Sequence, residues 1–236
     1  SDVYKRQAIS ILTTIAILFT LLTETITFFT RVPLSKFFLS GTWNPTGSSP
    51  EFGIWALIIG TLKITVIATI VAVPIGLGAA IYLNEYASDR SRRIIKPILE
   101  ILAGIPTIVF GFFALTFVTP ILRNLIPNLG EFNSISPGIV VGIMIVPMIT
   151  SMSEDAMSSV PDKIREGAFG LGATKFEVAT KVVLPAATSG VVASIVLGIS
   201  RAIGETMIVS LAAGSSPTSS LSFPSSIQPL TGYIFG

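Results

Sequence analysis

The sequence predicts an all-α fold, a polytopic bundle of transmembrane helices, and three observations predict it. Of 236 residues, 50% are hydrophobic and only 12% charged, and mean hydropathy is +0.79, which is not the composition of a soluble domain. The apolar residues are gathered into runs of about 20, the thickness of a bilayer core. The polar intervals between runs are short, and the longest lies between Ser153 and Pro185.

The same composition excludes several chemistries. There are no cysteines and no histidines, so disulfide frameworks, zinc sites and Ser-His-Asp triads are ruled out. No G-x-x-x-x-G-K-[ST] phosphate loop occurs, so nucleotide hydrolysis would have to belong to a partner. A net charge of +2 is too small to imply a nucleic-acid partner.

Taken in order, residues 1–7 (SDVYKRQ) look like the translation of a sequencing adaptor and are set apart from the fold. Residues 8–53 hold the first span, Ala8–Phe29, and a polar loop with Trp43, Pro45 and Pro50 along the outer interface. Residues 54–213 are the core. Ile54–Leu83 is longer than one crossing needs and should tilt or project. Ile98–Val118 is read as the third span, Pro137–Met152 as the fourth and Ala186–Ala213 as the fifth. Residues 214–236 form an outer-face tail in which apolar character resumes at 229–234, which suggests a sixth span beyond.

Basic residues orient the bundle. Arg90, Arg92, Arg93 and Lys96 follow the second span, and Lys163, Arg165, Lys175 and Lys181 lie in the 153–185 loop. The opposite face holds Arg31, Lys36 and Arg123. The positive-inside rule then places the N-terminus and residues 153–185 in the cytoplasm.

That loop is more ordered than a connector needs to be. Ser159 is expected to cap a short helix, with Pro161 in its first turn and Asp162 at the positive end of its dipole. Gly170 and Gly172 stop the helix. Thr174 and Glu177 have the spacing of a capping box for a second helix, which Pro185 should break. The pattern resembles the EAA motif of ABC-importer permeases: Glu166-Gly167-Ala168, then Gly172, Val182 and Leu184-Pro185, at the family's spacing. Gly167 stands where the family usually has alanine, a change that loosens a helix by roughly 1 kcal/mol. The resemblance implies a type I (MetI-like) permease fold, with Glu166, Gly167, Ala168, Gly172, Leu184 and Pro185 forming the element that docks on a cytoplasmic ATPase.

Within the spans, Gly190, Ser194, Gly198 and Ala202 recur every four residues, and Gly138 and Gly142 make a GxxxG, both read as helix-packing faces. Pro74, Pro106 and Pro147 should kink their helices. Arg201 and Glu205 lie four apart, so on one continuous helix they would pair. Such charges either line a pathway or lock helices together. Lys63, in the outer part of the second span, either snorkels to the interface or serves a site within the membrane, and Glu100 is expected to lie at the inner end of the third span.

Arg201-Ala202-Ile203-Gly204-Glu205-Thr206-Met207 resembles the RAxGETM segment of phosphate-importer permeases, and Glu100–Thr107 their ELLAGIPS. Met207 favours the PstC-like subunit over its PstA-like partner. The resemblance implies an ATP-driven phosphate importer whose transport subunit is not itself an enzyme. Its partners would be a second, PstA-like permease, two cytoplasmic ATPases that use ATP and Mg, and an external phosphate-binding protein; no cofactor would be bound by this chain. Arg201, Glu205 and Lys63 become candidates for the translocation pathway. Without the resemblance, the residues leave open another oxyanion or polar solute, or a carrier driven by an ion gradient.

Overall fold

A computed structural model of the chain describes residues 2–44, 51–127 and 129–214. The expected tail from 215 onward, and Pro45 and Pro50, lie outside the described residues. The chain forms two compact units, Ser1–Trp55 and Ala56–Gly236.

In the first unit, α1 (Asp2–Arg31) is one continuous helix. The hydroxyls of Thr13, Thr14, Thr20 and Thr23 donate to carbonyls one turn back, which satisfies polar groups in a helix too apolar to offer them other partners. The expected polar loop is partly ordered. It contains α2 (Leu34–Leu39) and an antiparallel pair, β1 (Trp43–Asn44) with β2 (Glu51–Phe52). Phe28, Phe29, Phe37, Trp43 and Phe52 meet edge to face, the geometry that ring quadrupoles prefer.

The second unit is built on α3 (Ile54–Ile81) and α7 (Ile135–Ser158), which carry Pro74 and Pro147 inside them. With the π-helical turn Tyr82–Tyr86, the α3 run is 33 residues long, as its long apolar stretch suggests. Glycines let α3 and α7 approach closely: a Cβ at Gly138 would lie 2.7 Å from Ile67 and one at Gly142 2.9 Å from Val71. The small-residue stripe of α11 (Thr188–Ile203) does the same against α7. A Cβ at Gly198 would lie 2.9 Å from Ile149, and Ser194 Oγ meets Ser153 Oγ at 2.6 Å. An interhelical hydrogen bond of this kind is worth ~0.6 kcal/mol in lipid. Ile64, Ala68, Val141, Ile145, Ile149 and Ala202 fill the core between these helices.

Among the described residues, four helices are long and apolar enough to cross a membrane, or five if a helix pair bent by 76° counts as one span. Several boundaries differ from the sequence reading. The third span does not start at Ile98. Residues 98–104 belong to α4 (Asp89–Gly104), which is amphipathic and buries none of its residues. Pro106 cannot continue that helix and instead opens α5 (Thr107–Phe113). A π-helical turn, Ala114–Val118, and α6 (Thr119–Leu125) then complete the span.

The fifth span is also interrupted. α11 ends at Ile203 with Gly204 as its C-cap, and α12 (Met207–Ala212) begins anew. Nor does the polar loop begin at Ser153, because α7 runs on to Ser158. Ser159 closes α7 instead of capping the next helix: its hydroxyl donates back to the Ala156 carbonyl. Pro161 takes the N-cap position of α8 (Asp162–Gly170) without a side-chain bond.

Candidate functional site: an ordered elbow and a charged cavity

The elbow follows from its residues. α8 opens with Asp162 in its first turn and closes at Gly170. Ala173 N–H donates to the Ala168 carbonyl at 3.1 Å and Gly172 N–H to that of Phe169 at 2.9 Å, the paired bonds of a Schellman end. Gly172 has φ +86° and nothing within 4 Å of where a Cβ would stand. Its requirement is therefore conformational rather than spatial. Gly167 also has open space around it.

The expected capping box is present. Thr174 Oγ1 accepts from Glu177 N–H at 3.3 Å, and Glu177 Oε2 accepts from Thr174 N–H at 3.1 Å. Lys181 Nζ reaches Glu177 Oε1 at 3.0 Å. In this polar connector the Thr174 N–H, followed by Lys181 and the Thr174 hydroxyl, lowers the Glu177 carboxyl to about 2.

The second helical run starts with α9 (Lys175–Glu177), continues through the π-helical turn Val178–Val183 and ends with α10 (Leu184–Ala186). As expected, the run breaks beside Pro185: it ends at Ala186, and the chain bends by 76° before α11. The turn falls at Ala187. Val178, Val183, Ala187 and Val191 pack with Met157 and Val160, which seats the elbow on the end of α7. Large apolar side chains stand out among its exposed residues: Leu171 is 92% exposed and Phe176 66% exposed, with Ile164 and Phe169 also exposed. Glu166 is exposed on the same elbow.

A second feature lies between α4, α7 and α11. A cavity of about 360 Å³ is lined by Lys96 and Glu100 of α4, Met148, Ser151 and Glu154 of α7, and Arg201 of α11, among others. Arg201 is thus exposed into a cleft that mixes charged side chains with apolar ones such as Leu99 and Met144. Glu205 is not stacked beneath it, because Gly204 ends the helix and the i, i+4 register stops there. Glu205 Oε1 instead accepts from Met207 and Ile208 N–H at 3.2 and 3.4 Å, which caps α12. Lys63 does not snorkel. It is 5% exposed, on the face of α3 that also buries Gly60 and Ile64. Glu100 lines the cavity from α4 instead of ending the third span.

Charges that the sequence reading used only to orient the chain have structural partners. Glu154 is 1% exposed; Lys96 Nζ stands 2.6 Å from its Oε2 and Arg92 Nη2 3.7 Å from its Oε1. Arg165 of α8 faces Glu85 and Asp162. The acidic pair Glu154-Asp155 at the polar end of an apolar run, complementary to the basic first half of α4, was the signal available for the first of these.

Long apolar helices packed through small residues, with an ordered elbow between two of them, define a multi-pass membrane protein. Two chains from inward-facing structures of the MetNI methionine ABC transporter share the fold. One has TM-score 0.56 at 20% identity, covering 78% of this chain and 81% of that one. The other has TM-score 0.51 at 19% identity, covering 70% and 74%. Residues 72–234 match the family described as binding-protein-dependent transport system inner membrane component, and the chain belongs to that family.

Among its curated relatives, the probable ABC transporter permease protein YqgH of Bacillus subtilis is 38% identical over 180 residues, 76% of this chain and 58% of that protein. The phosphate transport system permease protein PstC of Haemophilus influenzae is 37% identical over 200 residues, 77% and 63%. The chain therefore spans about three-fifths of the length of the curated relatives it matches.

Proposed function

We propose that this chain is a permease subunit of an ATP-driven importer of inorganic phosphate in the cytoplasmic membrane. The similarity to PstC proteins, 37% identity over 200 residues in one of them, carries the choice of substrate. Charge alone would serve sulfate or molybdate as well. In this reading the elbow, with Glu166, Gly167, Ala168 and Gly172 at its tip and Leu184-Pro185 behind it, lies in the cytoplasm and docks on an ATPase. The exposed Leu171 and Phe176 beside Gly172 support this, since a polar connector gains nothing from displaying them to water.

Two such ATPases bind and hydrolyse ATP with Mg, and this transport subunit carries out no hydrolysis itself. A second, PstA-like permease completes the path, and an extracytoplasmic binding protein delivers phosphate. Arg201 presents a fixed positive charge to the passing oxyanion in the cavity. Lys63 and Glu205 are further candidates for the pathway, Lys63 as a buried cation of the second span and Glu205 as the residue that fixes the turn following Arg201.

The deciding experiment is uptake of radiolabelled phosphate, sulfate and molybdate into liposomes that hold the full-length permease with its partners, with and without ATP. ATP-dependent uptake of phosphate in preference to the other two is expected. Uptake without ATP would sink the reading. Orientation is tested separately with an impermeant thiol reagent, since the chain has no native cysteine. A cysteine at Lys163 should be labelled only from the cytoplasmic side.

A further inference from the structure

α8 buries none of its residues, so apolar packing holds it weakly, yet one side chain ties it to two other elements. Arg165 Nη2 donates to the Met157 carbonyl of α7 at 2.7 Å and to Asn84 Oδ1 in the turn after α3 at 3.2 Å. Its Nη1 donates to Asp162 Oδ1 at 3.2 Å. Its Nε faces Glu85 Oε1 at 3.6 Å, too far for a hydrogen bond. Both of these last atoms are buried and neither has a hydrogen-bond partner. A buried donor and acceptor held apart in this way are left unsatisfied, which is unfavourable. A closing movement of about 0.7 Å would make the bond.

We propose that Arg165 is a positioning residue that passes displacement of the elbow to the inner ends of α3 and α7, pivoting on the Met157 carbonyl and closing on Glu85. Arginine suits this task because its planar fork can hold one acceptor while it approaches another. The open Arg165–Glu85 contact belongs to one conformation, and its closure favours the other. A transition needs such a contact, one that differs between the two states. The inference rests on the reading of the elbow as the place where an ATPase docks.

The test measures phosphate taken up and ATP hydrolysed on the same vesicles, with the full-length permease assembled with its partners. Arg165→Gln is expected to lower uptake per ATP at least ten-fold in complexes that assemble in normal amount. Arg165→Lys, which keeps the charge without the fork, should recover part of the ratio, and Glu85→Gln should lower it at least three-fold. A purely structural role would reduce the amount of complex and leave the ratio per complex intact.

Spin labels at Lys163→Cys and Tyr86→Cys give an independent readout. One distance is expected in both nucleotide states with Arg165 present, and divergent distances with Arg165→Gln. A normal uptake ratio in Arg165→Gln overturns the proposal. If that variant does not assemble, a normal ratio in Glu85→Gln overturns it and a lowered one upholds it. If the parent complex takes up no phosphate, the importer reading fails, and the label distances alone decide whether Arg165 links the elements.

Discussion

Lys96 Nζ lies 2.6 Å from Glu154 Oε2, and this contact fastens the amphipathic α4 to the C-terminal half of α7. Glu154 is almost wholly buried, whereas the Lys96 side chain is 40% exposed. The pair is therefore asymmetric: one charge needs its partner and the other could be solvated without it. Removing the lysine leaves the carboxylate with the more distant Arg92.

Lys96→Ala should destabilise the protein by roughly 2 kcal/mol, below the usual cost of orphaning a buried charge because Arg92 and water compensate in part. Combining Lys96→Met with Glu154→Gln removes the stranded charge and should recover most of the loss. Thermal unfolding in detergent measures both. A double variant no more stable than Lys96→Ala would count against the pairing.

At Gly172, φ +86° sets the cost of substitution. Gly172→Ala should lose about 1–2 kcal/mol at the elbow, Gly172→Asn less, and Gly172→Val more because it is β-branched. Membrane insertion should survive in all three, while co-purification of the ATPase and transport fall in the order Asn, Ala, Val. Equal effects of Asn and Val would show that volume rather than backbone conformation governs the position.

Gly167 has no such restriction and open space around it. Gly167→Ala is expected to stabilise α8 by ~0.5–1 kcal/mol, seen as slower amide exchange across 164–170. Faster exchange would mean that the glycine serves a conformation other than this one.

Arg201 and Glu205 should behave independently. Arg201→Gln is expected to abolish phosphate uptake in a complex that assembles and hydrolyses ATP. Glu205→Gln weakens the cap of α12 by about 1 kcal/mol and should not strand Arg201. The double variant should show the sum of the two effects. Restored uptake in the double variant would reveal a direct pairing of the two side chains.

The capping box should fail in acid. The folded Glu177 carboxyl sits at about 2 against an ordinary 4.5. A depressed value stabilises fully above the unfolded pKa, and that contribution is lost as pH falls from about 4.5 toward about 2. Protection of the Glu177 amide, the slowing of its exchange relative to the intrinsic rate at each pH, should fall over that window and stay level above it. Glu177→Gln should flatten the profile.

What the sequence disclosed was governed by local rules. The Gly172 stop and the Thr174–Glu177 box are set by residues within one helical turn of each other, and both stand in the structure as read. The small-residue stripe was legible because Gly190, Ser194 and Gly198 repeat at the helical period, whichever helix they meet. Boundaries inside apolar runs were not legible. Hydropathy joins residues 98–104 to the next segment, and only the backbone break at Ile105-Pro106 separates them. The reading of Arg201 with Glu205 assumed an unbroken helix, and Gly204 ends it. Arg165 with Asn84 and Lys96 with Glu154 are long-range contacts, and no spacing rule points to them.

The π-helical turns at Tyr82–Tyr86, Ala114–Val118 and Val178–Val183 bear on how this chain tolerates changes in length. Each residue of an α-helix turns the chain by about 100°, so one residue deleted inside α11 would swing the Gly198 face away from Ile149. A π-helical turn already holds a surplus residue as a bulge. Losing one residue there relaxes the bulge to ordinary α-helix and leaves the following face aimed as before. These turns are the places where the lineage of this chain can gain or shed single residues while both flanking helices keep their partners.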